Sequence, residues 1–120
     1  MEERRRFIRI KWPFVVQYKT LEEPYIEDQI VGKDISESGA SFIVYDRLTG
    51  GTKLDLEIQI PFDSMPIFAK GKVVWIKKVG QLHEKAFEVG VIFTKIDPRD
   101  EKRFKMYISN EIKARKKASD

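Results

Sequence analysis

From Ile8 to Tyr18 the even positions Ile8, Ile10, Trp12, Phe14, Val16 and Tyr18 are apolar, while Arg9, Lys11, Gln17 and Lys19 fall on the other face. This is the period-two pattern of a half-buried strand. Leu54, Leu56, Ile58 and Ile60 alternate in the same way with Lys53, Asp55, Glu57 and Gln59, and Phe87, Val89, Val91 and Phe93 repeat the pattern near the end. Shorter strands are predicted over Gln29 to Ile35, Ala40 to Tyr45 and Phe68 to Lys78, with the turn signals "SESG", "LTGG" and "PFDSMP" between them. About six strands at hairpin spacing, each with one polar face, predict a mainly β fold, an antiparallel barrel.

The period changes in "DPRDEKRFKMYISNEIKARKKA". Asp97 suits a helix cap, Pro98 the first helical position, and Asp100 and Glu101 the positive end of the helix dipole. Phe104, Ile108 and Ile112 at spacing four, with Tyr107 beside them, form an apolar stripe that should lie on the barrel. The expected organisation is a flexible arginine-rich segment over residues 1–9, a barrel over 10–96 and a helix over 97–118, one unit spanning 1–120. No internal repeat or low-complexity linker interrupts it.

Composition excludes several kinds of chemistry. With 120 residues and 42% hydrophobic positions the chain suits one domain with a modest core. Cysteine is absent, which leaves no disulfides and no thiolate chemistry, and the single histidine, His83, rules out a multi-histidine metal site. His83 sits in the polar "GQLHEK" turn, where a solvated loop histidine is the simple explanation. No catalytic residue and no metal ligand is expected: neither a nucleophile–base pair nor a Gly-rich phosphate loop is present, and the paired carboxylates Glu22/Glu23 and Glu27/Asp28 have nothing nearby to raise a pKa. The charged N-terminus and the lack of an apolar run of roughly 20 residues lead us to expect a cytoplasmic protein with no membrane span.

Charge is unevenly spread. Residues 1–11 carry five Lys/Arg against two Glu, residues 99–120 carry eight against four acids, and the stretch between carries ten against thirteen. The basic ends favour an anion meeting a terminus over a uniformly basic nucleic-acid surface. Two motifs give this substance. Arg5 and Arg9 make an R-x-x-x-R directly before the first strand, and "DISESG" supplies Asp34, Ser36 and Gly39 as D-x-S-x-x-G between two strands. A match to the second pattern arises by chance in roughly one such sequence in twenty, and the plain reading is a serine-rich turn whose glycine takes positive φ.

Together and in this order, the two motifs resemble the signature of the PilZ domain, the bacterial receptor module for the second messenger cyclic di-GMP. The resemblance extends to "GKVVWIKK", "FEVGVIFTKID" and the closing helix, and covers nearly the whole chain. It implies a six-stranded PilZ-like β-barrel with a C-terminal helix, a receptor and not an enzyme, no cofactor, and cyclic di-GMP as ligand. It further implies a downstream protein partner, in control of motility, biofilm or exopolysaccharide, that nothing in these residues names. The ligand-binding residues it implies are Arg5, Arg9, Asp34, Ser36 and Gly39.

The chemistry of those side chains agrees. Cyclic di-GMP offers phosphates, guanine O6/N7 edges and flat purine faces, and the guanidinium fork of Arg5 or Arg9 pairs with the first two and stacks on the third. By the resemblance, Asp34 would accept from the guanine N–H donors. Ser36 would donate to a phosphate or fix the turn, and Gly39 would permit a conformation or close approach that a Cβ would block. Arg4 and Arg6 flank the motif as further candidate contacts. Trp75 either walls a purine or belongs to the core, and alternation does not decide, because Val73 and Val74 are both apolar. The rival readings are a small nucleic-acid-binding barrel, disfavoured by the acidic middle of the chain, and an adaptor with a vestigial nucleotide site.

Overall fold

The computed structural model describes residues 10–61, 63–80 and 85–119. Six antiparallel strands, β1 (Ile10–Thr20), β2 (Glu27–Ile35), β3 (Gly39–Val44), β4 (Lys53–Gln59), β5 (Ile67–Val79) and β6 (Ala86–Ile96), precede one helix, α1 (Pro98–Ser119). They close a barrel in the order β1-β2-β3-β6-β5-β4. Closure comes from β1, which pairs with β2 along most of its length and with β4 from Val15 to Thr20. The predicted fold class, a mainly β six-stranded barrel with a C-terminal helix, is the one observed. The predicted strand start at Ile8 lies outside the described residues.

Alternation decides which side chains meet inside. Phe14, Val16 and Tyr18 of β1 and Leu54, Leu56 and Ile58 of β4 are buried, and their odd-numbered neighbours face outward. Phe42, Val44, Ile67 and Val89 have no exposed surface and complete the interior. The β1–β2 ladder shifts register between Lys11 and Phe14, where Pro13 has no N–H to donate.

The helix joins the same core. Phe104 and Ile108 are buried at 0% and 2% exposure, with Tyr107 and Ile112 packed alongside, so the stripe predicted from spacing is the face that docks. Phe104 meets Phe93 of β6 edge-on, with ring centroids 5.7 Å apart. Asp97 caps the helix: its Oδ1 accepts the Arg99 backbone N–H at 3.0 Å. The Arg99 guanidinium on the same carboxylate lowers its pKa to about 2. Arg103 then ties α1 to the β4–β5 loop, donating to Asp63 at 2.8 Å, to the Met65 and Pro66 carbonyls, and to Asp100 at 2.7 Å. Asp100 in turn accepts the Phe68 N–H at 3.0 Å.

Tyr18 is 1% exposed, stacks on Phe42 with centroids 5.9 Å apart, and its hydroxyl finds no hydrogen-bond partner. Burial foremost, with Asp28 and Asp46 adding, raises its pKa to about 12 from the usual 10.0. Between those values the unfolded tyrosine loses its proton while the folded one keeps it, so stability falls as pH rises through that window. Tyr18→Phe is expected to remove this part of the alkaline loss and to be at least as stable at neutral pH, read from denaturant midpoints across pH. An unchanged alkaline slope would refute it.

Candidate functional site

The turn between β2 and β3 is built by its own serines. Ser36 N–H donates to the Gly39 carbonyl at 2.8 Å, and Ser38 N–H donates to Ser36 Oγ at 3.2 Å. Ser36 Oγ also lies 3.1 Å from Ser38 Oγ and 3.4 Å from the Gly39 carbonyl oxygen. With Ser36 only 3% exposed, its hydroxyl is committed to the turn. Phe93 N–H on β6 donates to the Ser38 carbonyl at 2.9 Å, which fastens the turn to the neighbouring strand.

Gly39 serves a different purpose from the turn reading. Positive φ occurs at Gly51 and Gly80 among the described residues, not at Gly39. Instead Gly39 pairs with Ile92, and a Cβ built on it would stand 2.2 Å from the Val91 carbonyl oxygen. The glycine is there for close approach of two backbones, as the alternative reading expected.

Asp34 faces outward. The β2–β3 ladder shifts between Gly32 and Asp34, leaving Lys33 as the extra residue, and Asp34 then pairs with Ser41. Ser41 lies between the core residues Ala40 and Phe42, so it points away from the interior, and its cross-strand partner does too. Asp34 is nonetheless only 8% exposed. Beside it, Lys33 reaches over β3 to Glu88 of β6, Nζ to Oε1 3.1 Å.

Register carries this row on. Ser41 pairs with Gly90 of β6, and Gly90 pairs with Trp75 of β5. A shift between Val73 and Trp75 explains why alternation could not place the indole: Val73 is 1% exposed, Val74 51%, and Trp75 resumes on the outer face with Lys77 two residues on. Asp34, Ser41, Gly90 and Trp75 thus form one outward strip across β2, β3, β6 and β5, with strands about 4.8 Å apart. At the β1 end of the row, Lys11 is the backbone partner of Asp34, and Ile10, the residue after Arg9, pairs with Ile35. Arg4, Arg5, Arg6, Arg9 and His83 lie outside the described residues. A carboxylate acceptor at one end and a flat indole at the other suit a planar heteroaromatic ring with N–H donors on its edge.

Among the described residues no group of three or more His, Cys, Asp or Glu side chains could hold a metal ion. A cleft of about 480 Å³ lies over β1, β4 and the start of α1, lined by Lys19, Asp55, Glu57, Lys70, Lys95 and Arg99. Its charges alternate across the strands and answer one another, Lys70 with Asp55 at 2.8 Å and Arg99 with the adjoining Asp97 at 3.0 Å. The first pair bridges adjacent strands and the second belongs to the helix cap, so the fold itself accounts for both. No described helix is long and apolar enough to cross a membrane.

The sequence profile of the PilZ domain matches residues 3–110. The chain belongs to the PilZ domain family. Solved structures share the fold of this PilZ domain at low identity. The PilZ domain of YcgR from Escherichia coli, solved with c-di-GMP, aligns at TM-score 0.66 and 20% identity, covering 98% of each chain. The Bacillus subtilis inhibitor of motility MotI/DgrA aligns at TM-score 0.71 and 19% identity over 93% of this chain and 53% of its own. The K. pneumonia MrkH–c-di-GMP complex aligns at TM-score 0.70 and 15% identity over 96% and 54%. This PilZ chain therefore spans about half the length of MotI/DgrA and MrkH. No curated protein sequence matches it.

Of the predicted site residues that are described, this PilZ barrel brings Asp34, Ser36 and Gly39 together at one turn and sets Trp75 three strands along the same face. The residues that sequence reasoning missed are Ser41, Gly90, Lys33 and Glu88. Two signals were available: Ser41 is a polar residue in the apolar run "GASFIV", and Gly90 interrupts "FEVGVIF", where a strand glycine marks a close approach.

Proposed function

We propose that this PilZ domain is a receptor for cyclic di-GMP. The observation that carries it is the filled signature, R-x-x-x-R at Arg5 and Arg9 and D-x-S-x-x-G at Asp34, Ser36 and Gly39, within a profile match over residues 3–110. The outward strip supports the reading. Asp34 accepts the guanine N–H donors, Ser36 and Gly39 hold the turn that presents it, and Trp75 offers its face to a purine. Lys11, the backbone partner of Asp34, follows Arg9 by two positions in the sequence. Arg5 and Arg9 then take guanine O6/N7 edges and phosphates, and Arg4 and Arg6 add charge. YcgR and MrkH, similar in fold, were solved with the same ligand.

In this reading residues 1–120 act as one PilZ-like unit that binds and does not catalyse. Drawing the arginine segment over the strip changes charge and shape on one face of the barrel, and a downstream protein that distinguishes the two forms responds. The testing experiment is isothermal titration with cyclic di-GMP, cyclic di-AMP and GTP, beside an Arg9→Ala variant. Binding of cyclic di-GMP alone, lost in the variant, is expected. A stoichiometry of two ligands per chain assigns Arg4 to a stacked pair. Absence of heat and of any thermal shift with all three nucleotides overturns the reading.

A further inference from the structure

Two features of the strip go beyond the backbone ladder. The first is the fit between Gly90 and Trp75. Gly90 lies between Val89 and Val91, buried at 0% and 3% exposure, so its missing side chain would point outward. A Cβ built there would stand 2.1 Å from Trp75 Nε1 and 2.2 Å from Cε2. The indole therefore lies directly on the β6 backbone, in a slot that only glycine leaves. The second feature is the Ser41 hydroxyl, which has no hydrogen-bond partner although Ser41 has no exposed surface. A buried hydroxyl left without a partner opposes folding. Ser41 stands between Asp34 and Gly90 in the register, in the middle of the strip.

We propose that the nucleotide surface runs on from Asp34 across β3 and β6, with Gly90 as the positioning residue that lays Trp75 flat and Ser41 as a polar contact for the base edge. This rests on the cyclic di-GMP reading. Gly90 touches no ligand; it acts by letting the ring lie low, so that its outer face is level with the strip and a base can stack on it. Any side chain at this position lifts or turns the indole. Ser41 has no exposed surface, so it reaches the ligand only if binding rearranges the strip, and the ligand then supplies the partner that the fold does not.

The test uses the full chain with Trp12→Phe, which leaves Trp75 as the sole tryptophan. Gly90→Ala, Trp75→Ala, their double variant and Ser41→Ala are compared by thermal melting and titration with cyclic di-GMP. Emission and acrylamide quenching without ligand are added for the forms that keep Trp75. Gly90→Ala is expected to make Trp75 emission redder and more quenchable before any ligand is added, and to weaken binding about tenfold, in the lower part of what base–aromatic stacking contributes. The double variant is expected to bind as Trp75→Ala does, because the two residues act through one ring. Ser41→Ala is expected to melt no lower than its parent and to bind several-fold more weakly.

Unchanged emission and affinity in Gly90→Ala, or losses that simply add in the double variant, overturn the role of Gly90. Parental affinity in Ser41→Ala overturns that of Ser41. Should Gly90→Ala fail to fold, the double variant decides, since removing the indole makes room for the methyl: folding supports the slot, and failure to fold refutes it. A parent protein that binds no cyclic di-GMP defeats the receptor reading instead, while the ligand-free emission still reports on Gly90.

Discussion

Asp34→Ala is expected to weaken cyclic di-GMP binding by about 30-fold or more, the consequence of removing a largely buried acceptor from a charge-assisted contact, where truncation costs roughly 2–5 kcal/mol. In the proposed site the carboxylate is the one signature group that could present negative charge to the N–H edge of guanine, and neither Ser36, committed to the turn, nor an arginine can replace it. The turn itself does not depend on it, since Ser36, Ser38 and Gly39 hold one another and Phe93 holds Ser38. A melt recorded beside the titration separates the loss of this contact from any loss of fold. Asp34→Asn, which keeps the size and one acceptor, should bind with an affinity between those of the parent and Asp34→Ala. Binding of Asp34→Ala within a few-fold of the parent would remove Asp34 from the site.

Phe104→Ala has the largest expected effect on stability, a loss of about 3–5 kcal/mol, against a total of about 5–15 kcal/mol for a domain. Phe104 is 0% exposed and sits edge-on to Phe93, and its removal leaves a cavity between α1 and the barrel. The neighbours cannot readily collapse into it. Arg103 and Asp100 pin the first turns of the helix to the loop before β5, and Ile108 is locked one turn further on. Urea unfolding followed by circular dichroism should show a lower midpoint at nearly unchanged slope. A loss under about 1 kcal/mol would mean that the helix rests on the barrel by its hydrogen bonds and not by this ring.

The strands with strict alternation, β1, β4 and β6, were legible because burial on one face leaves a period of two in the chain itself. So was α1, whose cap and stripe are local. What could not be read was which strands meet. Pairing of β3 with β6 and of β1 with β4 joins residues far apart in sequence, and no local pattern encodes a partner. The bulge at Val74 shows the same limit at one residue: it adds a position that alternation cannot anticipate, and so the face of Trp75 was open until the register with Gly90 was known.

The candidate site divides along the same line. Asp34, Ser36 and Gly39 stood out because they share one turn and one spacing. Ser41 and Gly90 did not, because each matters only through what the adjoining strand sets beside it. Gly39 was legible as a glycine needed for its conformation or for a close approach, but the sequence could not choose between them, since the Val91 carbonyl that excludes a Cβ belongs to β6.

The continuous ladder around the barrel also limits how a downstream protein can be recruited. With β1 paired to β4 as well as to β2, the barrel has no edge strand, and the unpaired N–H and C=O rows are confined to strand ends such as Val74–Val79 of β5, which runs past the end of β4. If the receptor reading holds, most of the surface a partner would meet is side chains and not backbone. On the proposed reading, surface substitution alone could then rewrite the address to which the domain signals while leaving the turn at Asp34, Ser36 and Gly39 intact.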